Sequence, residues 1–182
     1  MHCFAPPYGD MLYCFLVSTG NEDTDGESKM STTEIYNYIQ VNDQIVTGGQ
    51  PTADQLRSAA VEGFVTVINL ATTHSPPALE NEAGLVRSLG LNYYHIPVEW
   101  ENPKDSDFAA FEGVMAQIPA GKTLIHCAAN FRVTAFYSLY AQKHLGWSAA
   151  QAEAFRAAIW RGSHYPIWEQ FIERIRAGIG QT

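Results

Sequence analysis

The sequence predicts an α/β fold, a mostly parallel central sheet of roughly four or five strands flanked by helices. Three observations lead there. Short β-branched and apolar runs over residues 64–70, 92–98 and 123–126 alternate with longer stretches of helical period. Capping patterns such as Thr52 with Gln55 and Ser148 with Gln151 head two of those stretches. Gly63 and Gly90 stand where two of them should stop.

The elements follow in chain order. Residues 35–41 and 44–47 alternate polar and apolar around the turn-like Asn42-Asp43, which predicts two short strands. Pro51-Thr52 opens the first helix. The run 64–70 is rich enough in branched side chains to be a buried strand. A loop at 72–77 leads to a helix over 79–89, and 92–98 forms the next strand. A second loop, 99–105, precedes a helix capped by Ser106 and ending at Ile118, where Pro119-Ala120-Gly121 breaks it. After the strand at 123–126 come helices over 132–144, 149–160 and 166–177, the last opened by Pro166.

Composition narrows the function classes. A net charge of -8 with only 11 Lys and Arg disfavours nucleic acid and anionic membranes as partners. Cys3, Cys14 and Cys127 are too few and too scattered for a disulfide framework or a zinc site, so a reducing cytoplasm is the simplest setting. His74, His95, His144 and His164 show no metal-ligand spacing, and no cofactor is expected. No apolar run approaches the length of a membrane span. Residues 1–30 read as a disordered or loosely attached tail, or an upstream misread start, before a single domain at 31–182.

Chemistry concentrates at Cys127. The strand ending in His126 runs into a turn of Ala128, Ala129, Asn130 and Phe131, and Arg132 opens the next helix. Unpaired N–H groups and the positive end of a helix dipole stabilise a thiolate in that position, and the same array can hold an oxyanion. Ligands of parallel sheets also bind beyond the C-terminal strand ends, where Cys127 falls. The bland alternatives are a buried cysteine acting as a small hydrophobe and an arginine in a surface ion pair.

Three segments, in order, resemble the cysteine-dependent phosphatases of the dual-specificity type, and most of all the bacterial beta-lactamase-hydrolase-like or DUF442 branch. They are residues 46–52 (Val-Thr-Gly-Gly-Gln-Pro-Thr), residues 95–100 (His-Ile-Pro-Val-Glu-Trp) with Asn102-Pro103, and His126-Cys127 through Arg132. The resemblance implies a protein tyrosine phosphatase-like fold. It casts Cys127 as nucleophile through a phosphocysteine and Arg132 as phosphate clamp. The N–H groups of Ala128, Ala129, Asn130, Phe131 and Arg132 become the cradle, and a phosphorylated protein or small metabolite the substrate.

Glu99 is the first candidate for the acid and Glu101 the second, with Asp107 serving its own helix terminus. His126 should point away from the site and bond the loop backbone, and Thr134 can donate to the sulfur. Trp100 and the other tryptophans read as packing, and His164 sits in a loop that can approach the site. The loop is one residue shorter than the family's. Asn130 replaces its glycine, a substitution that tolerates positive φ. Moving the arginine one position swings it by about 100° around the helix axis. A rhodanese-like sulfurtransferase and a non-catalytic phospho-ligand module therefore stand as alternatives.

Overall fold

A computed structural model describes residues 30–179. Of the tail expected at 1–30, residues 1–29, with Cys3 and Cys14, lie outside the described residues. Five strands form one sheet in the order β1-β2-β5-β3-β4. They are β1 (Ile39–Gln40), β2 (Ile45–Gly48), β3 (Phe64–Asn69), β4 (Asn92–His95) and β5 (Lys122–His126). Only β1 runs antiparallel to its neighbour; every other pairing is parallel.

Alternation along the strands sorts side chains into two cores. Val46, Leu124 and Val67 stand in register and join the cluster under α1 (Ala53–Val61) and α2 (Glu82–Ser88). Ile125 and Ile68 pair on the other face. That face is covered by α3 (Asp105–Met115), α4 (Phe131–His144), α5 (Ala149–Trp160) and α6 (Pro166–Ile179). A two-sided sheet of this kind needs apolar residues at consecutive strand positions, which is why the runs read as buried strands. Among the described residues no helix is long and apolar enough to cross a membrane.

Caps fix most boundaries where the sequence placed them. Thr52–Gln55 and Ser148–Gln151 form reciprocal capping boxes, and Gly63 and Gly90 turn out of their helices at φ 83 and 78. Several boundaries differ, among them the end of the helix expected to reach Ile118, which closes at Met115. The strand expected at 35–41 is reduced to β1, because Thr32–Glu34 is a 3-10 turn and Asn37 is left-handed at φ 53. The helix expected from residue 79 begins at Glu82, where the Asn81 side chain accepts from Gly84 N. Pro97 offers no N–H, so β4 closes at His95, although Ile96 and Val98 still donate to β3-side carbonyls. Ser106 does not cap α3, which starts at Asp105; the Asp107 carboxylate instead accepts from Lys104 N at 3.0 Å.

Register places Gly48, His126 and Asn69 side by side at the C-terminal edge of β2, β5 and β3, with His95 beside Asn69 on β4. Cys127 is the next residue beyond that edge. Behind it, Phe136 of α4 is fully buried, stacked on Phe171 and edge-on to Phe108 and Phe111. Truncating Phe136 to Ala should cost about 3–5 kcal/mol in urea unfolding, whereas trimming the exposed Val61 to Ala should change stability by under ~0.5 kcal/mol.

Candidate active site

The loop after β5 is held from outside. Cys127 N donates to Gly48 O at 3.3 Å, and Gln50 N donates to Ala128 O at 3.1 Å. The Asn37 side chain donates to Ala129 O at 3.0 Å. In a trans peptide the N–H points opposite the carbonyl. Drawing the Ala128 carbonyl toward Gln50 therefore turns the N–H of Ala129 the other way, while the antiparallel bridge between Gly49 and Ala129 keeps the Asn130 N–H on the β2 side. Phe131 and Arg132 add the unpaired N–H groups of the first turn of α4.

Asn130 takes φ 68, the left-handed turn that its side chain tolerates, and is fully buried. Its amide does not face the cleft; it donates to Asn37 O at 2.7 Å and to Thr47 Oγ1 at 3.1 Å. Gly49 leaves room beside it: a Cβ there would lie 3.0 Å from Tyr36 O and 3.1 Å from Ala128 O, a tight fit against two backbone oxygens.

The cleft over this loop has a volume of about 310 Å³. Cys127, Ala128, Ala129, Phe131 and Arg132 form its floor, and Ser75, Pro76, Trp100 and Tyr165 its walls. Cys127 is 1% exposed and Arg132 6%. The short spacing does not throw the arginine off target, since it shares the cleft with Cys127. Its Nη2 lies 3.4 Å from Ser75 Oγ, and its guanidinium lies 5.5 Å from the Trp100 ring centroid. Its Nε has no partner, and among the described residues no carboxylate pairs with it. A buried guanidinium with no counter-charge among the described residues has the chemistry to accept an anion.

Other sequence-predicted residues lie elsewhere. Glu99 and Glu101 are exposed and do not line the cleft; Trp100 between them takes the inward position. The Thr134 hydroxyl is not free for the sulfur, because it donates to the carbonyls of Asn130 and Phe131 and accepts from Trp160 Nε1. His164 is exposed and paired with Glu169, while its neighbour Tyr165 lines the wall. Trp100 is a wall as well as packing: it meets Phe131, Tyr165 and Trp168 ring to ring.

His126 points away from the cleft as expected, but its partner is a carboxylate, not the loop backbone. Its Nε2 lies 2.8 Å from Glu82 Oε1. Glu82, 5% exposed, also accepts from Asn69 Nδ2 at 3.2 Å and Gln50 Nε2 at 2.5 Å. Burial alone would push the Glu82 carboxyl up; the hydrogen bond and charge of His126, helped by Gln50 and Tyr93, hold it below the ordinary range. Burial and then the Glu82 charge push the Tyr93 hydroxyl up, so it remains a proton donor. Sequence reasoning missed this group. A glutamate at the head of a helix reads as a dipole partner, and nothing local signals its burial.

No family model matches the chain. A beta-lactamase hydrolase-like protein of Xylella fastidiosa (strain Temecula1) is 28% identical over 104 residues, 56% of this chain and 24% of that protein. One from Agrobacterium fabrum is 26% identical over the same length. The chain thus spans about a quarter of the length of these curated relatives. Among solved structures, a candidate phosphatase (DUF442) from Shewanella putrefaciens CN-32 is 32% identical at a TM-score of 0.73, with 81% of this chain and 97% of that one covered. The core catalytic domain of the PP-IP phosphatase SIW14 from S. cerevisiae shares the fold at a TM-score of 0.62 and 15% identity, over 81% and 93% of the two chains. PTPMT1 in complex with PI(5)P does so at 0.64 and 16%, over 79% and 96%.

The Glu82 carboxyl gives a pH test. Because its pKa is lowered on folding, its contribution is present above the ordinary value of 4.5 and is lost as pH falls through the folded value. Urea unfolding of wild type and Glu82→Gln across acidic pH should show a stability gap that is largest above 4.5 and narrows below it.

Proposed function

Because the chain belongs to the DUF442 phosphatase-like family, we propose that it hydrolyses phosphomonoesters through a phosphocysteine on Cys127. One observation carries the reading. Arg132, buried and without a carboxylate partner among the described residues, opens onto the same cleft as the lone cysteine of the loop.

The Cys127 thiolate attacks phosphorus, forming an S–P bond as the bond to the leaving oxygen breaks. Arg132 and the main-chain N–H groups of the loop hold the equatorial oxygens as charge spreads over them. Water then attacks phosphorus, the S–P bond breaks, inorganic phosphate leaves and the thiolate is restored. Arg132 is the single cationic side chain in the lining, which suits one phosphate group better than several. Phosphorylated proteins and small phosphometabolites are the substrate classes we assign.

The leaving oxygen needs a proton. We assign the donor to the turn carrying Glu99 and Glu101, which flank Trp100. A leaving group that extends past the Trp100 wall toward solvent meets those carboxylates at the rim. His126 holds the loop from beneath, and Thr134 supports it by tying the first turn of α4 to Trp160.

Hydrolysis of p-nitrophenyl phosphate by the full chain tests the reading. Cys127→Ser should abolish turnover, and acid quench of wild type during turnover should trap a phosphocysteine. Arg132→Ala should lower kcat/KM by roughly 10²–10³-fold. Turnover that survives Cys127→Ser would remove the sulfur from the mechanism. Tungstate binding by a wild type that never hydrolyses would leave a binding module, and thiosulfate-to-cyanide transfer without ester hydrolysis would leave a sulfurtransferase.

A further inference from the structure

Arg132 follows Cys127 one residue sooner than in the phosphatases this chain resembles, and its guanidinium is held from outside the loop. Two contacts hold it. The Trp100 ring centroid lies 5.5 Å from the guanidinium, and Ser75 Oγ lies 3.4 Å from Nη2. They differ in kind. Attraction to a ring face acts on the whole cation and sets no direction within the guanidinium plane. A hydrogen bond to one N–H does set it. Nε has no partner, so among the described residues Ser75 is the directional contact of this side chain, though a long one.

Ser75 stands in a braced turn on the wall of the cleft. Its N–H donates to Thr72 O at 3.0 Å, and Ala78 N donates to Ser75 O at 2.8 Å. The start of the turn is tied to the sheet. Ala71 N donates to Asn69 Oδ1 at 2.7 Å, and His95 Nε2 lies 2.7 Å from Ala71 O. A guanidinium only donates, so Ser75 Oγ is the acceptor in its contact with Arg132. The Thr72 hydroxyl, 2.8 Å from Ser75 Oγ, is the second partner of that oxygen and restricts its rotation.

We propose that Ser75 is a positioning residue for Arg132, fixing the rotation of the guanidinium so that its free edge meets an oxyanion over Cys127. The proposal rests on the reading of the cleft as an oxyanion site. Ser75 does not compete with the anion: a guanidinium has five N–H donors, a forked oxyanion takes two, and the serine takes one. The family resemblance assigns nothing to residue 75, which lies outside all three matching segments.

Ser75→Ala is the variant of choice, because it removes the hydroxyl and leaves the main-chain bonds of the turn in place. Tungstate binding to the full-length chain is measured by titration calorimetry, with thermal unfolding of the same samples. Wild type should bind. Ser75→Ala should bind about fivefold more weakly per folded molecule, a loss on the scale of one hydrogen bond. Ser75→Thr, which restores a hydroxyl, should recover most of the affinity. A residue that only braced the fold would lower the melting temperature and leave the affinity of the folded fraction intact. Binding by Ser75→Ala as tight as wild type, or tighter, therefore overturns the proposal. A loss that Ser75→Thr does not recover belongs to the shape of the wall and overturns it as well.

The Arg132 side chain gives a second readout that needs no anion. Its Nε–H resonance, identified by its loss in Arg132→Lys, should report a rigid side chain in wild type and a mobile one in Ser75→Ala by nitrogen relaxation. Equal rigidity in the two proteins overturns the proposal even where tungstate binding falls. A wild type that binds no tungstate defeats the oxyanion-site reading itself, and this proposal with it. A wild type that binds while Ser75→Ala matches it defeats the proposal alone.

Discussion

The architecture turns on a cation held out of water with no carboxylate beside it among the described residues. Desolvating a guanidinium carries a penalty on the order of several kcal/mol, and a partnered ion normally offsets it. Here the offset is partial: the Trp100 face, one serine hydroxyl at 3.4 Å, and proximity to a sulfur that can carry the opposite charge. An anion that enters the cleft supplies the missing charge. The surrounding structure maintains that deficit. The rings of Phe131, Tyr165 and Trp160 pack on one another, and Phe131 and Tyr165 meet the Trp100 ring edge to face and fix it in place.

On the opposite side of the loop the electrostatics are reversed. Glu82 is a buried anion, and it is fully surrounded: His126, Gln50, Asn69 and Tyr93 all reach it. Three of these partners sit in or just beyond the strand ends that register places in line, so the carboxylate acts as a keystone for the C-terminal edge of the sheet. One buried charge is satisfied and the other is left wanting, on the two faces of a single short turn. That contrast separates scaffold from site.

Much of the fold was legible because it depends on local chemistry. Thr52 with Gln55, Ser148 with Gln151, and the glycines at 63 and 90 determine their own boundaries, and the branched runs that become β3 and β5 need no distant information. Cys127, Ala128, Ala129, Phe131 and Arg132 were legible for the same reason, since a strand, a turn and a helix start adjoin in the chain. What escaped depends on contacts far apart in sequence. Asn37 meets the loop across 92 residues, and Glu82 meets His126 across 44. Trp100 looked like core because a tryptophan in a loop carries no signal of which side faces a ligand. Thr134 was misread because its distance from Cys127 along the chain says nothing about the nearer carbonyls that capture its hydroxyl.

The bond between Asn37 and the turn after β5 also bears on the order of folding. It joins residues 92 positions apart, so the contact belongs to the slow, non-local part of assembly, as does the pairing of β2 with β5. The helices can form from contacts close in sequence, whereas the sheet edge and the turn need segments brought together from far apart. Chemical competence therefore depends on non-local contacts, and a partly folded chain would keep its sulfur while lacking the ordered turn that gives it a purpose.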